Sequence, residues 1–498
     1  MNDLRYLELL KLAAPETIVV LTVLLVLAAD LLALRGLELG FRRLVCAMIG
    51  CVGCSVAIAW MLALPQPAAT FAGMWVVDPL TQFIKVALLA LTVLTVLLSV
   101  DTDFTPHAGE YFALILLASV GMMFLVSSQD ILMIFISLEL TSLCLYILTA
   151  FSKRDARSAE AGLKYYLFGG VSAAFTLFGL SLLYGLSGAT NLSQIAAAIQ
   201  GPELDPLLML AMVMTVIGFG FKVAAVPFHL WAPDAYQGAP APCAAFIASG
   251  SKVAGFFILA RVMMLGFQGA EGSASLSTYV PGWVPLLAVM AVASMLLGNL
   301  AAIVQTSVRR LLAYSAVAHA GYMLLGILPH TDEGLAALVY YVLTYGLATL
   351  GAFGVVAVVE RQTGGDRLLD FAGLSRRAPL VSMCMAVFML SLTGIPPLAG
   401  FMGKFYVFAS ALSTDRVNLG LLWLVVAALA LSAVSFYYYL KVLKQVYIVE
   451  PGKEAAAVPI PILSRAVLLL LALAVVGLGC APQLLLGPLL DALRYTGL

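Results

Sequence analysis

Single ionisable residues stand inside otherwise apolar runs at Lys85, Lys164, Lys222, Lys252, Lys404, Glu139 and His319. A charge at bilayer depth costs roughly 2.5–3.5 kcal/mol on insertion scales, so each is a functional-site candidate. The most informative stretch is GFGFKVAAVPFHLWAPDAYQGAPAP, Gly218 to Pro242. It places Lys222 five residues before Pro227, followed by His229, Pro233 and Asp234. A proline inside a helix removes a hydrogen bond, and the freed carbonyl must face protein or water rather than lipid. Desolvation disfavours a charged lysine and a nearby carboxylate restores it, so several such groups in one polar seam titrate together. That is the chemistry of a proton relay.

The elements that position these groups follow from composition. Of 498 residues 63% are hydrophobic and 10% charged, against about 25% charged in soluble proteins, so the chain is an all-α polytopic membrane protein. A net charge of zero argues against a nucleic-acid partner. Fourteen hydrophobic runs of about spanning length occur, near 15–34, 44–64, 80–100, 111–126, 131–150, 163–186, 207–231, 240–265, 284–304, 311–328, 335–359, 380–411, 421–446 and 462–486. The first is read as a retained span, because Met1 to Ala14 mixes Asp3, Arg5, Glu8 and Lys11 and lacks a signal peptide's basic region. Taking loops alternately, sixteen of the 26 basic residues fall on one side, from Arg35 to Arg465 and including Lys441, Lys444 and Lys453; Arg416 stands alone on the other. The positive-inside rule puts the sixteen in the cytoplasm and both termini in the periplasm. Cys46, Cys51 and Cys54 share the spacing of some iron–sulfur ligands but lie in or beside an apolar run without a fourth ligand nearby, so they read as core residues.

Within the spans, Lys85 with Asp78 two turns before it suits either snorkelling or a structural pair, and snorkelling accounts for Arg261 near a run's outer end. Lys164 lies near the start of run 6, whereas Lys222, Lys252 and Lys404 are deep. Glu139, eight residues into run 5, needs a cationic partner, and Lys222 or Lys164 is available. His319, halfway through run 10, is a bridge titrating near neutral pH or a core histidine. Tyr437, Tyr438 and Tyr439 are chiefly packing residues, with Tyr438 a minor relay candidate. Run 12, SLTGIPPLAGFMGKFYVF at its centre, repeats the theme: Pro396-Pro397 breaks a stretch of about 48 Å, and Lys404 follows. Runs 7 and 12 lie five spans apart, which suggests two inverted five-span units, runs 4–8 and 9–13, with broken helices 7 and 12. The corresponding divisions are 1–105 for three N-terminal helices, 106–267 and 280–450 for the repeats, and 451–498 for the C-terminal helix.

PFHLWAPDAYQGAPAP with Ser251-Lys252, AGLKYYLFGG around Lys164 and GIPPLAGFMGKF around Lys404 together resemble subunit N of respiratory complex I, the bacterial NADH–quinone oxidoreductase, over essentially the whole chain. Lys404 occupies a position where subunit M relatives typically carry glutamate, and the chain lacks the lateral helix of subunit L.

The resemblance implies a proton-translocating membrane-arm subunit that couples quinone reduction to pumping. It implies no flavin, iron–sulfur cluster, NADH or quinone in this chain; those belong to partner subunits. The expected partners are the other membrane subunits of the complex, of the M type, the L type with its lateral helix, and the K, J, A and H types, and the bilayer is the inner membrane of a bacterial cell. By the family pattern Glu139 and Lys222 form a pair whose opening responds to a neighbour. Lys252 and His319 carry the proton along the axis, Lys404 exchanges it with the periplasm, and Lys164 is an extra relay near the cytoplasmic entry. The alternative reading is a subunit of a multi-subunit sodium/proton antiporter.

Overall fold

A computed structural model of the chain describes residues 11–63, 69–71, 73–199, 205–277, 279–413, 420–450 and 460–494. Arg5, Arg416 and Lys453, used in the charge census, lie outside the described residues. The described chain is helical apart from two short antiparallel hairpins, Ala69–Phe71 with Trp75–Val77 and Ser273–Ala274 with Tyr279–Val280. Among the described residues eleven helices are long and apolar enough to cross a membrane, and three shorter apolar helices accompany them. All fourteen hydrophobic runs fall on helices, because in hydrocarbon only an intrahelical ladder satisfies every backbone group.

The helices are α1 Ala14–Ala28, α2 Leu39–Ala63, α3 Pro79–Val100, α4 Ala108–Ser127, α5 Ile131–Thr149, α6 Ala156–Ser187 and the short α7 Leu192–Ala198. Run 7 is α8 Pro206–Lys222 and the break after it, α9 Trp231–Gly238 forms the connection that follows, and run 8 is α10 Ala241–Ala248 and α11 Gly250–Arg261. Then follow α12 Trp283–Ile303, α13 Val308–Leu324, α14 Asp332–Thr363 and the single turn α15 Leu374–Arg377. Run 12 is α16 Pro379–Thr393 and α17 Ala399–Ser413; α18 Leu422–Tyr447, α19 Ile462–Cys480 and α20 Gln483–Leu493 complete the chain. Polar residues begin several of them. Asp78 and Thr81 form a reciprocal cap on α3, while Asp130, Asp155, Ser307 and Thr331 cap α5, α6, α13 and α14. The buried centre is α10–α11 and α14, every residue of α10 and α11 being buried. The outer faces of α1, α2, α5 and α6 expose rows of leucine, valine and aromatic side chains, as a lipid- or partner-facing surface requires.

Two sequence expectations are corrected here. Of the two readings of Lys85 the structural pair holds, but with Glu16 on α1 in place of Asp78: its Nζ lies 2.7 Å from Glu16, and both side chains are 1% exposed. Asp78 instead faces Arg261 at 4.0 Å, and Arg261 is buried rather than reaching outward. Its guanidinium donates to the carbonyls of Val126, at 2.7 Å, and Ser128, at 3.5 Å, at the end of α4. The reason is topological. The N-terminal helices wrap the periphery of α4 and α11, so the side chains judged to be near a membrane surface have protein around them.

Removing one partner of a buried ion pair costs about 3–5 kcal/mol, whereas replacing both by apolar groups is close to neutral. Lys85→Met is therefore expected to lower thermal stability by about that amount, and adding Glu16→Leu to return most of it. Thermal denaturation of the solubilised protein checks this; equal losses in the single and double variants would refute it.

Candidate functional site

The first break begins where α8 ends at Lys222. Val223 to Leu230 turn back on themselves, with Ala225 N–H donating to Gly220 O at 2.8 Å, before α9 starts at Trp231. Pro227 contributes no donor there. The freed groups are taken up by side chains: Trp231 Nε1 donates to Phe221 O at 3.0 Å, and Val226 N–H donates to Ser294 Oγ at 2.8 Å. Trp231 also stacks on Tyr165 of α6, ring centroids 4.2 Å apart, which ties the break to the helix that carries Lys164.

Lys222 Nζ donates to Ser142 Oγ on α5. Glu139 lies one turn before Ser142 on the same helix. No ion pair within 4 Å joins Glu139 and Lys222 among the described residues, although each is within electrostatic reach of the other. Glu139 is half-buried, in a stripe with Leu132, Ile136, Leu143 and Ile147, all four exposed. The structure thus holds the family's expected pair more than 4 Å apart, with a serine hydroxyl on the lysine and the glutamate on a half-exposed stripe of α5.

Lys164 is not with Glu139. It lies at the arginine-rich end of α6, between Asp234 at 2.8 Å and Glu160 at 2.7 Å. Asp234 also accepts from Arg310 at 2.6 Å. Burial pulls the Asp234 carboxyl up, but the Lys164 ammonium and the Arg310 guanidinium outweigh it and hold the carboxyl below the usual carboxylate range. Asp234, on α9 in the connection after the first break, thus joins α6, α9 and α13.

At the centre, Lys252 on α11 donates to the carbonyl of Ala316 and stands 5.4 Å from the ring centroid of Tyr345. One turn on from Ala316, His319 Nδ1 is 2.8 Å from Tyr341 Oη and Nε2 is 3.1 Å from Tyr439 Oη. Two hydroxyls, each able to donate or accept, therefore hold the imidazole without fixing which nitrogen carries the proton. Tyr439 Oη is also hydrogen-bonded to Ser315 Oγ.

The second break follows Thr393, where Gly394 takes φ 92° and α17 begins at Ala399. Lys404 reaches back from α17 to the end of α16. Its Nζ donates to Leu392 O at 3.3 Å, Thr393 O at 2.9 Å and Ser432 Oγ at 2.9 Å. The ammonium also lies 5.0 Å from the ring centroid of Tyr322. Tyr322 Oη accepts from Asn299 Nδ2 at 2.9 Å, and Tyr438 donates to Asn299 Oδ1 at 3.0 Å.

The structure therefore brings Lys252, His319 and Lys404 into one buried polar centre, puts Lys222 with Ser142 at its edge, and leaves Glu139 and Lys164 on outer faces. Tyr438 joins the Lys404 side through Asn299, while its neighbour Tyr439 takes the histidine. Ser142, Asn299, Tyr322, Tyr341, Tyr345, Ser432 and Tyr439 escaped sequence reasoning, since neutral hydroxyls and amides at helical spacing look like ordinary packing residues. Cys46, Cys51 and Cys54 are free thiols on α2, and no cluster of three or more metal-ligating side chains occurs among the described residues.

Two interrupted helices, each with a lysine beside the break, define an antiporter-like membrane subunit. Residues 128–432 match the family described as NADH:quinone oxidoreductase/Mrp antiporter, TM. The chain is 52% identical, over 98% of its length and 99% of the relative's, to NADH-quinone oxidoreductase subunit N 2 of Acidobacterium capsulatum. A chain of respiratory complex I from Thermus thermophilus with bound Aureothin is 34% identical with a TM-score of 0.78, covering 95% of this chain and 98% of that one. A chain of the Mrp complex from Dietzia sp. has a TM-score of 0.80 at 21% identity, with 98% of each chain covered, a likeness of fold alone. This chain belongs to the subunit N family of NADH–quinone oxidoreductase.

Asp234→Asn removes the charge that joins Lys164 and Arg310, and is expected to lower stability by on the order of 1 kcal/mol at neutral pH. Because the folded carboxyl is held low, that contribution is present above about pH 4 and fades as pH falls through the folded value. Denaturation midpoints of the natural and Asn forms should therefore converge in acid; a difference that persists there would show that the aspartate acts through packing.

Proposed function

We propose that this chain is a proton-translocating subunit of the membrane arm of NADH–quinone oxidoreductase, which it serves without redox chemistry of its own. The observation that carries the reading is the series Lys222, Lys252, His319 and Lys404, the last three buried, beginning and ending at a helix break. In this reading the arginine-rich face is cytoplasmic, both termini are periplasmic, and the bilayer is the inner membrane of a bacterial cell. The other membrane subunits of the complex are its partners, including the L-type subunit's lateral helix, and one of them covers Glu139. Flavin, iron–sulfur clusters and quinone reside in partner subunits.

Quinone reduction elsewhere changes the charge presented to Glu139. When Glu139 approaches Lys222 the ammonium is stabilised; when it withdraws, Lys222 keeps a serine hydroxyl as its partner and gives up its proton more readily. The proton passes to Lys252 and on through His319, whose two tyrosine partners let either ring nitrogen take it up. Lys404 receives it and releases it to the periplasm when the carbonyls at the second break let go. Lys164 with Asp234 lies at the cytoplasmic edge, as an additional relay residue. The two repeats, 106–267 and 280–450, are read as two half-channels, each hinged at its break.

The test replaces Lys222 or Lys404 by alanine and follows proton uptake in sealed inverted vesicles during NADH oxidation. Each is expected to lower pumping through this subunit by about a hundredfold or more, the scale of a positioned proton-transfer group. Normal pumping in both variants of an assembled complex sinks the assignment. Sodium-dependent transport without respiratory substrate would support the antiporter alternative, against which the 52% identity to a subunit N relative weighs. If Lys222→Met retained full turnover and pumping, the lysine would instead serve helix packing.

A further inference from the structure

The outer end of α11, the helix that carries Lys252, is held by groups the proposed relay leaves out. This helix is a short rod with an irregular joint at each end. Ser249, at φ −110° and ψ −80°, separates it from α10, and the π-helical turn Val262–Gly266 follows it. Apolar packing is non-directional and lets such a rod slide, so polar contacts set its depth. Its only polar side chains are Ser251, Lys252 and Arg261, and Arg261 alone stands at the outer end. Nine residues separate Lys252 from Arg261, which is about 13.5 Å and two and a half turns, so the two lie on opposite faces.

Arg261 is buried, and its Nη1 donates to the carbonyls that end α4. Its Nε and Nη2 have no hydrogen-bond partner among the described residues. Nη2 stops 4.0 Å from Asp78 Oδ2, beyond hydrogen-bond range and within the span that one bridging water closes. Other unpaired groups gather at the same junction. Trp75 is bridged to Ser128 through the backbone, and its Nε1 and the hydroxyl of Ser127 are buried without a partner. Lys85 Nζ lies 5.1 Å from the centroid of the Trp75 ring. Glu16 beside it accepts no hydrogen bond of good geometry, despite the 2.7 Å ion pair. A void of about 10 Å³ bordered by Lys85 and Gln82 has room for one water molecule. Native interiors leave few buried polar groups unpaired, and ordered water is a common remedy. Four such side chains, Arg261, Trp75, Ser127 and Glu16, meet here. Arg261 with Asp78 and Lys85 with Glu16 already balance in charge, and the unpaired atoms include both donors and acceptors, so water suits the junction better than an ion does.

We propose that Arg261, Asp78, Trp75 and Ser127 enclose a site for ordered water, through which Arg261 acts as a positioning residue that holds the Lys252 helix at its depth against the N-terminal three helices. The consequence for Lys252 rests on the proposed relay; the water site does not. Arg261 keeps its charge and passes no proton. It fixes where the rod stands, and so where the Lys252 ammonium meets Ala316 and Tyr345.

Two measurements on the assembled complex test it. Hydroxyl radicals made in place by an X-ray pulse oxidise side chains next to bound water, buried or not. Trp75 is expected to be oxidised severalfold faster than Trp283, which is also buried but donates its N–H to Phe267 O at 3.3 Å. The Trp75 rate is expected to fall to that of Trp283 in Arg261→Met. Equal rates in the natural protein, or a Trp75 rate that the substitution leaves unchanged, overturn the water site. Proton uptake through this subunit, per assembled complex in inverted vesicles, is then expected to fall by on the order of a hundredfold in Arg261→Met, the scale of a misplacement of about 1 Å. It is expected to recover in Arg261→Lys, which keeps a cation for the α4 carbonyls. Should Arg261→Met not assemble, Arg261→Gln takes its place with the same expected loss. A role in folding alone would lower the amount of complex and leave uptake by what assembles normal, and that result overturns the positioning. The labelling reads water and not pumping. Normal uptake in the Arg261 variant beside impaired Lys222→Ala overturns the positioning alone, whereas normal uptake in Lys222→Ala and Lys404→Ala as well overturns the relay.

Discussion

A helix that ends inside a membrane leaves carbonyls with no partner and no water, and this constraint shapes the whole structure. The chain meets it repeatedly by aiming a cation at the end of a helix, where both hydrogen bonding and the helix dipole favour positive charge. Lys404 takes the carbonyls that end α16, and Arg261 those that end α4. Arg309 takes the carbonyls of Gln237 and Ala239 at the end of α9, and Lys441 those of Ile303 and Gln305 beyond α12. The buried positive charges are thus in part the caps that allow helices to stop at depth. Function is built on groups the fold already needs.

Much of this was legible beforehand. Composition and the lengths of apolar runs reveal the helices, and prolines at 227 and 396–397 reveal both breaks. The deep lysines are visible because nothing else charged occurs near them in sequence. Pairings across distant helices were not. Glu16 with Lys85, Asp78 with Arg261 and Lys164 with Asp234 each join elements far apart along the chain, and no local pattern selects one partner over another. Depth judged from position in a run also misled, because Arg261 near a helix end is surrounded by neighbouring helices rather than by headgroups. The neutral partners of His319 were hidden for a different reason. Tyr341 and Tyr439 carry no burial penalty comparable to a charge, so their placement beside His319 leaves no trace in composition.

What separates a brace from a relay among these cations is the number of fixed partners. Arg309 has two carbonyls and the Glu360 carboxylate; Arg261 has two carbonyls with Asp78 nearby. A guanidinium stays charged under all ordinary conditions, so such groups hold geometry and carry no proton. Lys222 has one serine hydroxyl and Lys252 one carbonyl beside an aromatic face, which leaves each ammonium with donors uncommitted to protein. An ammonium so weakly held can lose its proton without breaking a helix cap.

Lys404 departs from that pattern, and the departure bears on the order of events. It has three oxygen partners, two of them the terminal carbonyls of α16, so its neutral form would leave that helix end with one fewer donor. Deprotonation at Lys404 is therefore coupled to the geometry of the second break in a way that deprotonation at Lys252 is not. A step that requires the break to rearrange is slower and more easily gated than one that requires only a hydrogen-bonded path. In the proposed relay this would place control of release at the Pro396-Pro397 end, and leave the centre around His319 to equilibrate between the lysines on either side of it.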